Sequence, residues 1–172
     1  QFGEEPPKPE TSVIIPLYGR CDFLRHQLAQ FADDPYFKNV DLIYVVDDPQ
    51  LVEQTLSLAA RYQWLFGVPF RVVWYGRNLG FAGANNAGAS LARGKNLLLM
   101  NSDVIPQKAG WLMKLEKALD LQPVAGAVGP LLQFGDGSIQ HAGMYPRTDP
   151  QLPDFLLNTH PAMGQAWGGS AE

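Results

Sequence analysis

The sequence predicts an α/β protein built on a mostly parallel sheet flanked by helices, and three observations carry that prediction. Short β-branched or apolar runs alternate with longer segments of helical periodicity. Several of the short runs stop abruptly in polar residues: Tyr18-Gly19-Arg20, Asp47-Asp48 and Asn101-Ser102-Asp103. Gly and Pro sit mostly at the junctions between segments. Alternation of this kind forces right-handed crossovers, which put helices on both faces of a sheet.

Taken in order, residues 11–16 (TSVIIP) form a β-branched run closed by Pro, a short buried strand. Residues 22–31 carry Phe23, Leu24, Leu28 and Phe31 at the spacing of one helix face, and Asp33-Asp34-Pro35 ends that helix. Residues 40–46 (VDLIYVV) are a second strand running into Asp47-Asp48-Pro49. A helix over 51–66 shows its face in Leu51, Thr55, Leu58, Ala59, Tyr62 and Phe66, and Gly67 and Pro69 stop it. Residues 70–75 (FRVVWY) are a third strand. Residues 81–93 are small and Ala-rich, a helix with Gly94 as its C-terminal glycine. Residues 95–100 are a fourth strand, read as buried because an apolar run is bounded by polar residues. Residues 110–121 are amphipathic, with Trp111, Leu112, Leu115 and Leu119 opposite Lys114 and Lys117. Residues 124–128 are a fifth strand. After Pro130 the periodicity is lost, and Gly, Pro and Asp over 134–153 point to short antiparallel strands and loops over the sheet edge. The divisions are thus a linker at 1–10 (QFGEEPPKPE), an α/β domain at 11–130 and an irregular region at 131–172. Both ends read as cut, so a segment of a longer protein is expected, with the fold incomplete at its C-terminus.

The bulk numbers narrow the function classes. With 172 residues, 46% hydrophobic and 17% charged, the chain can bury a core. A net charge of −4 supplies no basic face for nucleic acid. A single cysteine, Cys21, excludes a disulfide framework or a cysteine zinc site within the chain. No run approaches the roughly 18 apolar residues of a membrane span, and residues 1–10 lack a charged-then-apolar leader pattern.

Parallel strands share a direction, so the polar groups after the first, second and fourth strands fall at one edge of one sheet. In open α/β sheets that carboxyl edge is where ligands sit. Asp103 is placed where a carboxylate can hold a divalent cation against a phosphate; an ordinary polar turn is the alternative. The stretch Asn78-Leu79-Gly80-Phe81-Ala82-Gly83-Ala84-Asn85-Asn86-Ala87-Gly88 lets a helix start approach a phosphate, or lets a helix pack tightly on the sheet. It is no dinucleotide fingerprint, because Gly80, Gly83 and Gly88 have the wrong spacing and follow the third strand, and no Gly-Lys-Ser/Thr makes a Walker loop. His26 reads as structural or solvent-facing, His141 as lining a pocket or capping a hairpin, and His160 receives no role.

These motifs, in this order, resemble the family 2 glycosyltransferases of the GT-A fold. The resemblance rests on Val13-Ile14-Ile15-Pro16-Leu17-Tyr18, Tyr44-Val45-Val46-Asp47-Asp48, the stretch from Asn78 to Gly88, and Leu97 to Asp103. Val128-Gly129-Pro130-Leu131-Leu132 and Asp136-Gly137-Ser138-Ile139-Gln140-His141-Ala142-Gly143 resemble the rhamnosyltransferase-like branch, which builds surface polysaccharide. The resemblance implies that Pro16 and Tyr18 border a nucleotide base and that Asp47 accepts from its imide, favouring UDP or dTDP sugars. It puts Gly80 beside the diphosphate and Asn101-Ser102-Asp103 in place of the family's Asp-x-Asp. Asp103 would then bind Mg²⁺ or Mn²⁺, and Asn101 would meet the ribose or a metal-bound water. His141 falls on the acceptor or sugar side. On this view 11–130 is a nucleotide-sugar-binding domain and 131–172 part of an acceptor side.

Two departures stand out. Asp47-Asp48-Pro49-Gln50 replaces the commoner Asp-Asp-Gly-Ser, and Asn101 replaces an acid. Such enzymes invert the anomeric centre and need a carboxylate base for the acceptor hydroxyl. Gly168-Gly169-Ser170-Ala171-Glu172 echoes the family's base segment, but it lies too close to Asp103 and lacks the preceding hydrophobic strand. Glu172 is therefore not assigned, Asp154 is a weaker candidate still, and the base is expected beyond Glu172. The expectation is the donor-binding part of an inverting glycosyltransferase acting on a saccharide or lipid-linked acceptor. Such a protein is cytoplasmic, with a peripheral position on the inner face of the membrane open to it. The alternative is a catalytically silent sugar-nucleotide-binding or structural domain of a larger protein. A nucleotidyltransferase would want a Gly-rich basic loop after the first strand, and Leu17-Tyr18-Gly19-Arg20 is too short for one.

Overall fold

A computed structural model of the protein describes residues 1–168, so Glu172 lies outside the described residues. By compactness the chain divides into Gln1–Leu112 and Met113–Glu172.

The first unit holds a four-stranded parallel sheet in the order β3-β2-β1-β4, from β1 (Thr11–Leu17), β2 (Asp41–Val46), β3 (Arg71–Trp74) and β4 (Asn96–Leu99). Ser12 pairs with Asp41 and Leu97, so β1 is the central register strand between β2 and β4. Helices α1 (Phe23–Ala32) and α2 (Val52–Phe66) cover one face, and α3 (Gly80–Ser90) covers the other. Strand alternation explains the division. Val13, Ile15, Leu17, Leu42, Tyr44 and Val46 enter the large core with Leu24, Leu28 and Phe31, whereas Ile14, Ile43 and Val45 meet Ala84 of α3. The small residues of α3 allow a close approach, since a Cβ at Gly88 would lie 2.4 Å from Ile14 Cγ2.

The strand–helix alternation and the helices on both faces are as the sequence predicts, with four corrections. β4 is not buried throughout. It is an edge strand among the described residues, and Leu97 and Leu99, on the face where α3 packs against β1 and β2, are 52% and 57% exposed. Gly94 does not cap α3, which ends at Ser90. It sits instead against the backbone of β1, where a Cβ would lie 2.4 Å from Ser12 N. The segment read as a linker is held to the unit: Phe2 exchanges backbone hydrogen bonds with Phe70 and stacks on its ring at 5.3 Å, and Glu5 pairs with Arg93. Residues 124–128 form no strand. Pro123 opens a turn closed by Ala125 N–H on the Gln122 carbonyl, leaving Val124 96% exposed.

The amino-terminal edge of the sheet is tied by Asp41. Its buried carboxylate accepts from Ser12 Oγ at 2.7 Å, from Arg71 Nη2 at 2.7 Å and from the Arg93 backbone N–H at 3.0 Å. Helix α4 (Trp111–Asp120) begins with Trp111 and Leu112 packed into the first unit's large core. The second unit contains two antiparallel hairpins, β5 (Leu132–Gln133) with β6 (Ile139–His141) and β7 (Tyr145–Thr148) with β8 (Leu156–Thr159). Asp136 caps the first turn by accepting from Ser138 N and Oγ, which lowers its pKa below the usual carboxylate value.

Candidate functional site

The carboxyl ends of β1, β2 and β4 open onto one cavity of about 540 Å³. Pro16, Tyr18, Asp47, Gly80, Asn101 and Asp103 all line it, joined by Asn78, Phe81 and Ser102. Residues from all three strand ends and from the Gly-rich stretch therefore face one space, whereas Gly19, Arg20 and Asp48, picked out with them, do not line it.

Each wall has a local cause. Pro16 is buried near the end of β1, and one residue past the strand Tyr18 is 64% exposed, an aromatic face turned to solvent. Asp47 extends the β1–β2 ladder by donating its N–H to the Leu17 carbonyl at 2.8 Å. Its carboxylate is buried, and Oδ1 accepts from Leu79 N–H at 2.6 Å, which fastens the start of α3 to the end of β2. Asp48 faces the other way, accepting from Gly19 N at 3.2 Å and from Gln50 N at 2.9 Å. With Pro49 at the first position, this makes a 3₁₀ turn over Pro49–Leu51, the shape that Pro49-Gln50 gives this loop.

Gly80 takes φ +69°, a left-handed value that a side chain would strain, and its N–H bonds Asn78 Oδ1 at 2.8 Å. α3 thus begins at the cavity with no acidic residue in its first turn, and its first two N–H groups are already taken, Leu79 by the Asp47 carboxylate and Gly80 by Asn78. Phe81, 64% exposed, adds a second aromatic face.

At the fourth wall, Met100 N–H bonds the Ile14 carbonyl, and the chain then turns, with Val104 N–H on the Asn101 carbonyl at 3.2 Å. Asn101 and Asp103 are exposed on this turn. Gln27, fully buried on α1, donates from Nε2 to the carbonyls of Asn101 at 3.2 Å and Val104 at 3.0 Å. Sequence reasoning missed Gln27, which carries no motif; Asn78 and Phe81 lie within the stretch that it singled out around Gly80. Beside the cavity, Arg20 forms a two-bond pair with Asp22. The hydrogen bond from Arg20 holds Asp22 down to a pKa of about 2; Asp22, and to a smaller extent Asp103, raise that of Arg20.

His26 is exposed on α1. His141 lies on β6 in the second unit, where its Nδ1 is 3.1 Å from Nδ1 of His160, so one imidazole N–H donates to the other ring. His160, given no role from the sequence, is its hydrogen-bond partner.

The sequence matches the description Glycosyl transferase family 2 over residues 12–162. The chain belongs to glycosyl transferase family 2. Among curated relatives, it is 31% identical over 141 residues to the uncharacterized protein y4gI of Sinorhizobium fredii, covering 79% of this chain and 15% of that protein. It is 28% identical over 136 residues to the O-antigen biosynthesis protein RfbC of Myxococcus xanthus, covering 79% of this chain and 10% of that one. The chain therefore spans a small part of the relatives it matches. Among solved structures, the mannosyltransferase PcManGT of Pyrobaculum calidifontis, in complex with GDP-Man and Mn²⁺, superposes with a TM-score of 0.59 at 17% identity, over 74% of this chain and 36% of that one. S. aureus TarS 1–349 in complex with UDP-GlcNAc gives 0.53 at 20% identity, over 73% and 38%. Identities this low speak for the fold, which is the GT-A arrangement of a mostly parallel sheet between helices. The family 2 resemblance stands as expected; the rhamnosyltransferase-like branch remains a finer reading, with RfbC a distant relative.

Proposed function

We propose that this family 2 domain binds the donor of an inverting glycosyltransferase, a nucleoside diphosphate sugar whose sugar passes to a saccharide or lipid-linked acceptor. One observation carries the reading: two exposed aromatic faces, a buried carboxylate, the start of a helix and an exposed carboxylate line a single cavity. Tyr18 and Pro16 would border the base, and Asp47 would accept from its imide through Oδ2, since Oδ1 serves Leu79. That acceptor favours uracil or thymine. The start of α3 at Gly80 would face the diphosphate.

The residues at the turn fit a hard cation. Asp103 offers one carboxylate and Asn101 one amide oxygen, and no group of three His, Cys, Asp or Glu side chains gathers to hold a metal among the described residues. Such a set suits Mg²⁺ or Mn²⁺ held with the donor's phosphates and water, and does not suit a transition metal caged by protein alone. Bound there, the ion supplies charge neutralisation to the leaving diphosphate. Asp103 would hold it, and Asn101 would orient the ribose or a bound water.

The name of RfbC and the motifs around His141 favour surface-polysaccharide synthesis of the rhamnosyltransferase-like kind, with His141 on the acceptor or sugar side. We place the domain in the cytoplasm or at the inner membrane face; no helix among the described residues is long and apolar enough to cross a membrane. The base that deprotonates the acceptor belongs beyond Glu172 in this reading.

Calorimetry with UDP, dTDP and GDP, each with and without Mn²⁺, tests it. The expected result is binding of a uridine or thymidine diphosphate that Mn²⁺ tightens, and at least a tenfold loss of that tightening in Asp103→Ala. No binding by any nucleotide, or unchanged binding in the variant, overturns the donor site. Donor hydrolysis by a longer chain separates a transferase from a silent binder.

A further inference from the structure

We infer that Gln27 is a positioning residue for the metal limb of the site, setting the geometry of Asp103 by clamping the backbone of its turn; this rests on the donor-site reading above. Gln27 projects from the middle of α1 and is fully buried. Its single side-chain nitrogen spends both hydrogens on the carbonyls of Asn101 and Val104, at 3.2 and 3.0 Å. Those carbonyls stand at the two ends of the four-residue turn that carries Asp103, and the Asn101 carbonyl also accepts from Val104 N–H at 3.2 Å. One amide therefore ties a core helix to both ends of the turn.

A second feature separates this clamp from ordinary packing. Gln27 Oε1 is buried and has no hydrogen-bond partner among the described residues. An orphaned carbonyl oxygen is destabilising, and Leu or Met would fill the site without it. Turning the amide over would set Oε1 against two carbonyl oxygens, so the orientation is fixed by the turn. The glutamine is thus suited to its two donated bonds rather than to the core around it. The consequence is greatest where one carboxylate holds the metal. With Asn101 in place of an acid, the affinity of the limb depends on where Asp103 points. Removing a partner that orients a metal ligand commonly costs about 10–100-fold in metal affinity.

The readout is the ratio of UDP dissociation constants without and with Mn²⁺, measured by calorimetry on the 172-residue chain. In Gln27→Met, a close match in volume, the ratio falls tenfold or more relative to wild type. In Gln27→Glu it falls further at about pH 8, where an ionised carboxylate faces two carbonyls, and partly recovers near pH 5, where the protonated group donates one hydrogen. A ratio unchanged in Gln27→Met, or a Gln27→Glu ratio that tracks wild type across that range, overturns the inference while leaving the donor site standing. Should Gln27→Met fail to fold by circular dichroism, the wild-type protein decides. The Gln27 side-chain amide resonances must shift with Mg²⁺ and UDP together and not with UDP alone, and resonances that stay in place refute the clamp. If Mn²⁺ tightens no nucleotide on wild type, the donor reading fails and this inference falls with it.

Discussion

Gly88→Ala sets two physical effects against each other with opposite signs. Gly88 lies inside α3, where Ala is better than Gly by about 1 kcal/mol on helix propensity alone. A Cβ there would lie 2.4 Å from Ile14 Cγ2 and 3.1 Å from Val45 Cγ2. Both neighbours are buried, β-branched and on the sheet that α3 covers, so neither has a free rotamer to retreat into. Restoring ordinary carbon contact of about 3.5–4.0 Å requires α3 to move away by roughly 1 Å or more. Overpacking in a core typically costs about 1–3 kcal/mol, and a contact this short belongs at the upper end. The net expectation is a loss of about 2 kcal/mol after the propensity gain, read from urea unfolding followed by circular dichroism with an unchanged m-value. Gly80 and Phe81 at the start of the same helix line the cavity, so nucleotide affinity should fall in the same variant. Adding Ile14→Ala should remove the clash and give a favourable coupling in the double-mutant cycle, although it opens space of its own. A Gly88→Ala protein as stable as wild type, or more so, would refute the packing argument and leave propensity as the whole effect.

Asp41→Asn should cost about 3 kcal/mol in urea unfolding, because Arg71 and Arg93 would keep their places beside a neutral amide; a loss under about 1 kcal/mol would mean that both guanidinium groups turn to solvent. Asp22 should titrate by NMR at about 2, moving toward 3.8 in Arg20→Gln. Its folded pKa is depressed, so any stability the pair contributes is present above about 3.8 and lost as pH falls through about 2. Both side chains are exposed, so the shift should shrink in high salt while unfolding near neutral pH barely changes.

The fold was legible where periodicity and burial agree. β1 and β2 are buried on both faces and read as continuous apolar runs, and α1 and α4 present their apolar stripes at helical spacing. It was illegible where an apolar run has a different cause. Residues 97–99 look like a buried strand, yet alternate residues face out because α3 stops short of the sheet edge. Residues 124–128 have strand composition, but Pro123 commits Val124 to a turn. Gly94 has the position of a helix cap, and the backbone of β1 is what excludes a side chain there. At Gly94 a contact distant in sequence overrides the local pattern, whereas at 124–128 the override is itself local, a proline turn inside a strand-like composition.

The site was legible for the same reason that it exists. Parallel strands deliver their ends to one edge, so Tyr18, Asp47 and Asp103 could be grouped from shared strand direction alone, before any of them was known to share a cavity. What holds the group together was not legible, because it runs through backbone. Asp47 Oδ1 grips the N–H of Leu79, and Gln27 grips carbonyls 74 and 77 residues away. Neither contact depends on the identity of the residue it holds. That bears on Asn101, whose carbonyl accepts from both Gln27 and Val104 while its side chain stays exposed. An amide in place of an acid at this position removes a charge from the cavity without disturbing the bonds that shape the turn. The shape of the turn is therefore carried by Gln27 and the main chain, and Asp103 is its one carboxylate.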